Sequence, residues 1–417
     1  MNDNKTTQTR KGTPDFQLLI LTLLMVGFGL VMVFSSSSSI AIVNPKFNFD
    51  AMYFTKKQVI FGVLGLLSMF VTMNIPYAKY KKLFVPVFIV TLIMLILVPY
   101  IGQNVNGARS WFGFGSFGVQ PSELAKITIV LYLAALISKK GERFRDLRTG
   151  YIPVMLIVGF VAGLIMLQPD FGSCVILVAT AGLVVFAGGA NLKHILGSLA
   201  LLVIGASIVL GAQFLFNKIS ASDGVSAQTT SYKAGRFQAY LHPLQDPQGV
   251  SYNLVQSLIA IGHGGASGTG FGQSIQKLHY LPNPYNDFIF SVIGEEFGFI
   301  GTLLFLLFYI YFIWRGILVS LRCPDTFGTL VGVGIMGLIA IQAFINIGGV
   351  TNTIPITGVT LPFISYGGSS LMVMMASMGI VLSISRQSNL PVSQERTKSV
   401  VVKQAVSERP ARRSFSR

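Results

Sequence analysis

Charge is what this chain lacks. Only 11% of its 417 residues are charged and 52% are hydrophobic, whereas a water-soluble domain carries roughly 25% charged residues. The mean hydropathy is +0.65, and the apolar runs repeatedly approach the roughly 20 residues that cross a bilayer. Cysteine is equally scarce. Cys174 falls inside an apolar run and Cys323 in a short basic loop, so neither a disulfide framework nor a metal cage is spelled out. His194, His242, His263 and His279 show no ligand spacing, and no phosphate-loop, dinucleotide, zinc or hydrolase-triad pattern occurs. The composition implies an all-α integral membrane protein and excludes a soluble metalloenzyme or nucleotide-binding domain.

Acids are the scarcer sign, 15 against 31 Lys and Arg. A cationic excess can serve nucleic acid, but here the cations sit between apolar runs, so membrane topology accounts for them and no nucleic acid is expected. Ten spans are expected: Phe16 to Phe34, Val59 to Ile75, Leu83 to Pro99, Ser122 to Ile137, Tyr151 to Gln168, Gly172 to Ala187, Leu192 to Phe216, Phe288 to Ser320, Thr326 to Val350 and Ser369 to Ser385. The first is longer than the core of a signal peptide and reads as an uncleaved span, despite the small residues Ser35 to Ser39. Most cations fall in alternate connections, around Lys79 to Lys82, in Lys139 to Arg148 and in the tail, which puts both termini in the cytoplasm. The chain divides into a cytoplasmic segment 1–15, a ten-span membrane domain 16–385 and a basic, disordered cytoplasmic tail 386–417 lying against anionic lipid.

The one long outer connection, 217–286, lies between the seventh and eighth spans. It holds an amphipathic piece, Tyr252 to Ile261, followed by glycines at 262, 264, 265, 268, 270 and 272. This reads as a short interfacial helix and then a flexible gate. Beyond it, NIGGVTNTIPITGVTLPFISYGGSS (346–370) mixes Gly, Thr and Pro at membrane depth, where irregular backbone is tolerated only inside protein or along a cavity.

Few acids fall in or at the membrane: Glu123, Asp170, Asp287, Glu295 and Glu296. A charge in a span costs about 2.5 to 3.5 kcal/mol on insertion scales, so each should be used or paired. Asp287 follows Pro284-Tyr285-Asn286 and opens a helical run; it can cap that helix or offer its carboxylate to a substrate hydroxyl. Glu295 and Glu296 lie about 12 Å deeper at 1.5 Å per residue, too far to share a reacting atom with Asp287, and read as structural. Glu123 and Lys126 share a helix face, either as a self-neutralising pair or with Lys126 holding a phosphate and Glu123 setting its position. Arg109 beside Trp111, Arg236 beside Phe237, and Lys277 are outer cations suited either to phosphate or to interfacial anchoring. Asp170, in Gln168-Pro169-Asp170, reads as the cap of the helix starting at Phe171.

Five motifs in this order, GARSWF, QPSELAK, LQPDFGS, GQSIQKLHYLPNPYNDFIFSVIGEEFG and PITGVTLPFISYGGSS, closely resemble the SEDS family of cell-wall proteins (FtsW, RodA and SpoVE) over essentially all ten spans. The IGEE wording, the GQSIQK run and the cationic tail look nearer to the division and sporulation branches than to the elongation branch. The resemblance implies ten helices in the bacterial cytoplasmic membrane, at the division septum, and polymerisation of lipid II into glycan strands on its outer face, with release of undecaprenyl diphosphate. It implies Asp287 as catalytic residue; the reading of the residues themselves places Arg109, Glu123, Lys126, Arg236 and Lys277 around the substrate, the cations meeting the leaving diphosphate with or without a divalent cation, Mg or Mn. A class B penicillin-binding protein that crosslinks the strands and other division proteins are the implied partners. The segment before the Asp departs from the family wording: it reads Asn283-Pro284-Tyr285-Asn286. The competing function is a lipid II flippase, which needs polar groups through the full depth of the membrane.

Overall fold

The computed structural model describes residues 12–105, 108–114, 117–201, 204, 239–249 and 251–388. Residues 1–11, the greater part of the expected seventh span, the first part of the long connection including Arg236, and the tail from residue 389 lie outside them. Within the described residues the chain is almost wholly helical: α1 Phe16–Val43, α2 Tyr53–Asn74, α3 Tyr77–Ile101, α4 Pro121–Lys140, α5 Ile152–Met166, α6 Phe171–Ala187, α7 Leu192–Leu201, α8 Tyr252–His263, α9 Ile289–Leu321, α10 Thr326–Val350 and α11 Gly368–Ser388. Among the described residues, eight helical stretches are long and apolar enough to cross a membrane, and α6 and α7 are shorter apolar helices.

The strands among the described residues form a small antiparallel sheet between α3 and α4, in the order β1 (Gln103–Val105), β2 (Ala108–Phe114), β3 (Phe117–Val119). β1 pairs Gln103 with Trp111, and β2 pairs Phe112 with Val119. Gly102, in extended backbone, ends α3, and the aromatic residues of β2 suit a strand.

Helix α1 is capped by Asp15, whose carboxylate accepts from the Leu18 amide. It runs nine residues past the expected end at Phe34, through the serine run to Val43. The serines are tolerated because they face the bundle: Ser35, Ser36 and Ser37 are buried, Ser36 bonds back to the Met32 carbonyl, and Ser35 reaches Glu296. At the same end as Asp15, Arg315 forms an ion pair with it and Arg386 reaches the Gly12 carbonyl. This end, with the basic α4–α5 connection, is opposite the sheet. Helices α4, α10 and α11 are the inner ones, mostly buried, while α3 and much of α9 turn apolar side chains outward.

The expected single span from Phe288 to Ser320 is in fact two helices joined at a break. Gly298 takes φ 64 and ψ −167, inside what is otherwise continuous helix. A break strands helix amides and carbonyls that lipid has no means to satisfy. The glycine-rich segment after α8 satisfies them. The Thr269 and Gly270 amides donate to the carbonyls of Glu295 and Glu296, and the Phe299 and Ile300 amides donate to those of Gly265 and Ala266. So the glycines form a docked clasp rather than the flexible gate expected from their number. Contact is so close that a Cβ at Gly298 would sit 2.2 Å from the Gly268 nitrogen.

Candidate active site

Asp287 lies at the sheet end of the bundle, just before α9. The helix opens at Ile289 with Phe288 in the cap position, so Asp287 stands one residue ahead of the cap rather than in it. It lines a small cavity together with Phe288, Asn346, Gly349 and the 356–359 segment, with about 10 Å³ open to the centre of a water molecule. That is room for about one water or hydroxyl group. The polypeptide carrying it is pinned at two carbonyls: Tyr366 donates its amide to the Tyr285 oxygen at 2.8 Å, and Asn346 donates Nδ2 to the Asp287 oxygen at 2.8 Å. The Tyr285 ring lies against Phe54, centroids 4.2 Å apart, and edge-on to Tyr366. Burial, then the neighbouring charge of Asp287, pushes the Tyr285 hydroxyl above the usual phenol range. Burial also raises Tyr366 to about 12, so both rings stay neutral walls.

The irregular 351–367 segment lines this cavity, as its Gly, Thr and Pro content suggested. Two amides one turn apart on α10 hold it. Asn346 Nδ2 also reaches the Val359 carbonyl at 2.7 Å, and Gln342 Nε2 reaches the Thr360 carbonyl at 3.0 Å. Gln342 in turn accepts from Lys126 Nζ at 2.8 Å, and Lys126 pairs with Glu123 at 2.8 Å. The second Glu123 oxygen accepts from Ser370. Lys126 is 1% exposed and Glu123 6%. The pair is thus an interior one, linked to the Asp287 cavity through Gln342 and Asn346. Neither amide was singled out from sequence: an apolar helix with one Gln and one Asn a turn apart is the only signal they leave.

Asp170 caps α6 through the Ser173 amide, and its other oxygen accepts from Gln120 and Ser122. Gly172 beside it packs on Val359 and Thr357, so the LQPDFGS turn braces the same segment. The remaining sequence candidates separate. Arg109 is exposed on β2. Lys277 does not join it at the surface: it is buried, with Nζ 2.7 Å from Glu296 and 3.0 Å from Ser35. Glu295, fully buried, accepts from His263 Nδ1 at 2.9 Å, from Ser274 and from the Ile275 amide at 3.0 Å. Both glutamates therefore fasten the 264–277 segment to α1 and α9. Among the described residues no three His, Cys, Asp or Glu side chains come together as a cation cage.

Residues 16–390 match the family described as "Cell cycle protein", FtsW/RodA/SpoVE. Stage V sporulation protein E of Bacillus subtilis (strain 168) is 41% identical over 384 residues, covering 91% of this chain and 99% of the relative. A probable peptidoglycan glycosyltransferase FtsW of Geobacter metallireducens is 38% identical, covering 89% and 94%. Among solved structures, a chain described under "Structural coordination of polymerization and crosslinking by a peptidoglycan synthase complex" superposes with a TM-score of 0.71 at 28% identity, covering 91% of this chain and 99% of that one. The rod shape determining protein RodA of Thermus thermophilus does so at 0.64 and 27%, covering 91% and 98%. With its helices, its cavity-lining PITGVTLPFISYGGSS segment and a match over nearly its whole length, the chain belongs to the FtsW/RodA/SpoVE family.

Proposed function

We propose that this protein is a peptidoglycan glycosyltransferase, polymerising lipid II at the outer face of the bacterial cytoplasmic membrane during septum synthesis in division or sporulation. The observation that carries the reading is the placement of Asp287 on a cavity at the sheet end of the bundle, with its backbone held from behind, in a chain so similar to named glycosyltransferases. The basic connections lie at the opposite end, which the positive-inside rule assigns to the cytoplasm; the sheet, the cavity and Asp287 then face outward. Asp287 acts as general base. It takes the proton from a sugar hydroxyl of one lipid-linked substrate as that oxygen bonds to the anomeric carbon of another, and the bond from that carbon to the diphosphate breaks. Undecaprenyl diphosphate leaves with both electrons of the broken bond. Its growing negative charge is met by outer cations. Arg109, exposed on β2, is open to that role, whereas Lys126 and Lys277 are already held by Glu123 and Glu296.

The flippase reading needs polar groups available along the full depth. Lys126 with Glu123 and Lys277 with Glu296 are interior charges, but each is spent on its partner. The likeness to a chain of a peptidoglycan synthase complex supports a class B penicillin-binding protein as the partner that crosslinks the strands. Purified protein with lipid II, read out as polymer on a gel, tests the reading against Asp287→Ala and Asp287→Asn. Wild type should polymerise and both variants, folded and inserted, should not. Polymer from a well-folded Asp287→Asn protein would sink the assignment.

A further inference from the structure

Asn346 makes an arrangement whose chemistry is one-sided. Both partners of its Nδ2 are carbonyl oxygens, those of Asp287 and Val359 at 2.8 and 2.7 Å, so the amide orientation is fixed: only the nitrogen can face them. The Oδ1 must then point the other way. It is buried, in a side chain 3% exposed, and it has no hydrogen-bond partner. A buried acceptor left so bears its full desolvation penalty, which calls for a donor that arrives from outside. Asn346 lines the cavity that Asp287 also lines, and that cavity takes about one hydroxyl-sized group.

We propose that Asn346 positions both the catalytic carboxylate and the incoming sugar: its Nδ2 holds the Asp287 and Val359 carbonyls, and its Oδ1 accepts a hydroxyl hydrogen of the acceptor sugar beside Asp287. The two ends of one amide thus fix the spacing between base and nucleophile. Gln342, one turn back, repeats the pattern with the Thr360 carbonyl but has its oxygen filled by Lys126. Asn346 alone of the two keeps an acceptor for substrate.

The inference rests on Asp287 being the base, and the test keeps the two apart. Wild type, Asp287→Ala, Asn346→Ala and Asn346→Ser are compared by lipid II polymerisation per folded molecule, with thermal unfolding in detergent measured on the same samples. Asn346→Ala should lower kcat by about tenfold or more, in line with the effect of misplacing a reacting group, while KM for lipid II changes far less. Asn346→Ser, which keeps a hydroxyl oxygen in the cavity, should recover part of the lost kcat. It also serves as the deciding variant if the alanine protein does not fold. Turnover within about twofold of wild type in a folded Asn346 variant overturns the proposal, as does a loss that vanishes when the samples are compared at equal distance below their unfolding temperatures. If Asp287→Ala itself polymerises, the base assignment fails, whatever Asn346 does.

Discussion

Lys277 Nζ lies 2.7 Å from Glu296 Oε1, and both side chains are buried against Ser35 of α1. This pair anchors the segment leading to Asp287 onto two helices far apart in sequence. Removing one member leaves the other charge stranded. Lys277→Met should therefore lower stability by about 3 to 5 kcal/mol, and Lys277→Met with Glu296→Leu should recover much of that loss. Unfolding of the four proteins in detergent measures the coupling. Additive losses would show that the pair is not what holds the segment.

Glu295 gathers His263, Ser274 and the Ile275 amide into one carboxylate. Glu295→Gln keeps the shape but replaces a charged acceptor with a neutral one and turns an NH2 toward donors. A loss of about 1 to 3 kcal/mol is expected, with faster amide exchange or proteolysis confined to residues 264–277. Unchanged stability together with lost polymerisation would mean that Glu295 serves the reaction directly.

Gly298 and Gly262 make a contrasting pair. Gly298→Ala forces a side chain into positive φ and against the Gly268 nitrogen, so it should cost more than about 1 kcal/mol and release the clasp. Gly262 lies in α8, exposed, with nothing within reach of an added Cβ. Gly262→Ala should stabilise by about 0.4 to 1 kcal/mol by restricting the unfolded chain. Melting temperatures of both single variants decide it, and equal effects would remove the clasp from the account.

The hydropathy pattern made the spans of α10 and α11 legible almost to the residue, because apolar length and membrane thickness are tied together. Asp170 was legible as a cap because a capping residue needs only its neighbours. Glu295 and Glu296 could be read as structural from depth alone, but not their partners: Lys277 looked like an outer cation, and only the fold brings it inside. The break at Gly298 was hidden for the same reason. Glycine in an apolar run costs little to read past, and the groups that repair the break come from residues 265–270, across a turn. Asn346 escaped notice because two amides a turn apart in an apolar helix do not say what they meet; its meaning lies in the two carbonyls that it bonds.

The last prediction concerns Lys126. Its ammonium is 1% exposed and shared between Glu123 and Gln342, so its first task is to neutralise a carboxylate that would otherwise be alone in the bundle. Lys126→Ala should then strand Glu123, which retains only the Ser370 hydroxyl, and disturb the Gln342 contact to Thr360 that borders the Asp287 cavity. Both stability and lipid II polymerisation should fall. Adding Glu123→Ala removes the stranded charge, and since breaking a buried pair is worse than deleting it, the double variant should be more stable than Lys126→Ala by about 1 kcal/mol or more and should regain activity. A lysine that instead grips the leaving diphosphate would show the opposite pattern. Its loss would persist in full in the double variant, because substrate contact does not depend on Glu123. Polymerisation and unfolding measured on wild type, both single variants and the double variant separate these outcomes: a double variant that regains stability without regaining turnover would move Lys126 from the scaffold to the substrate.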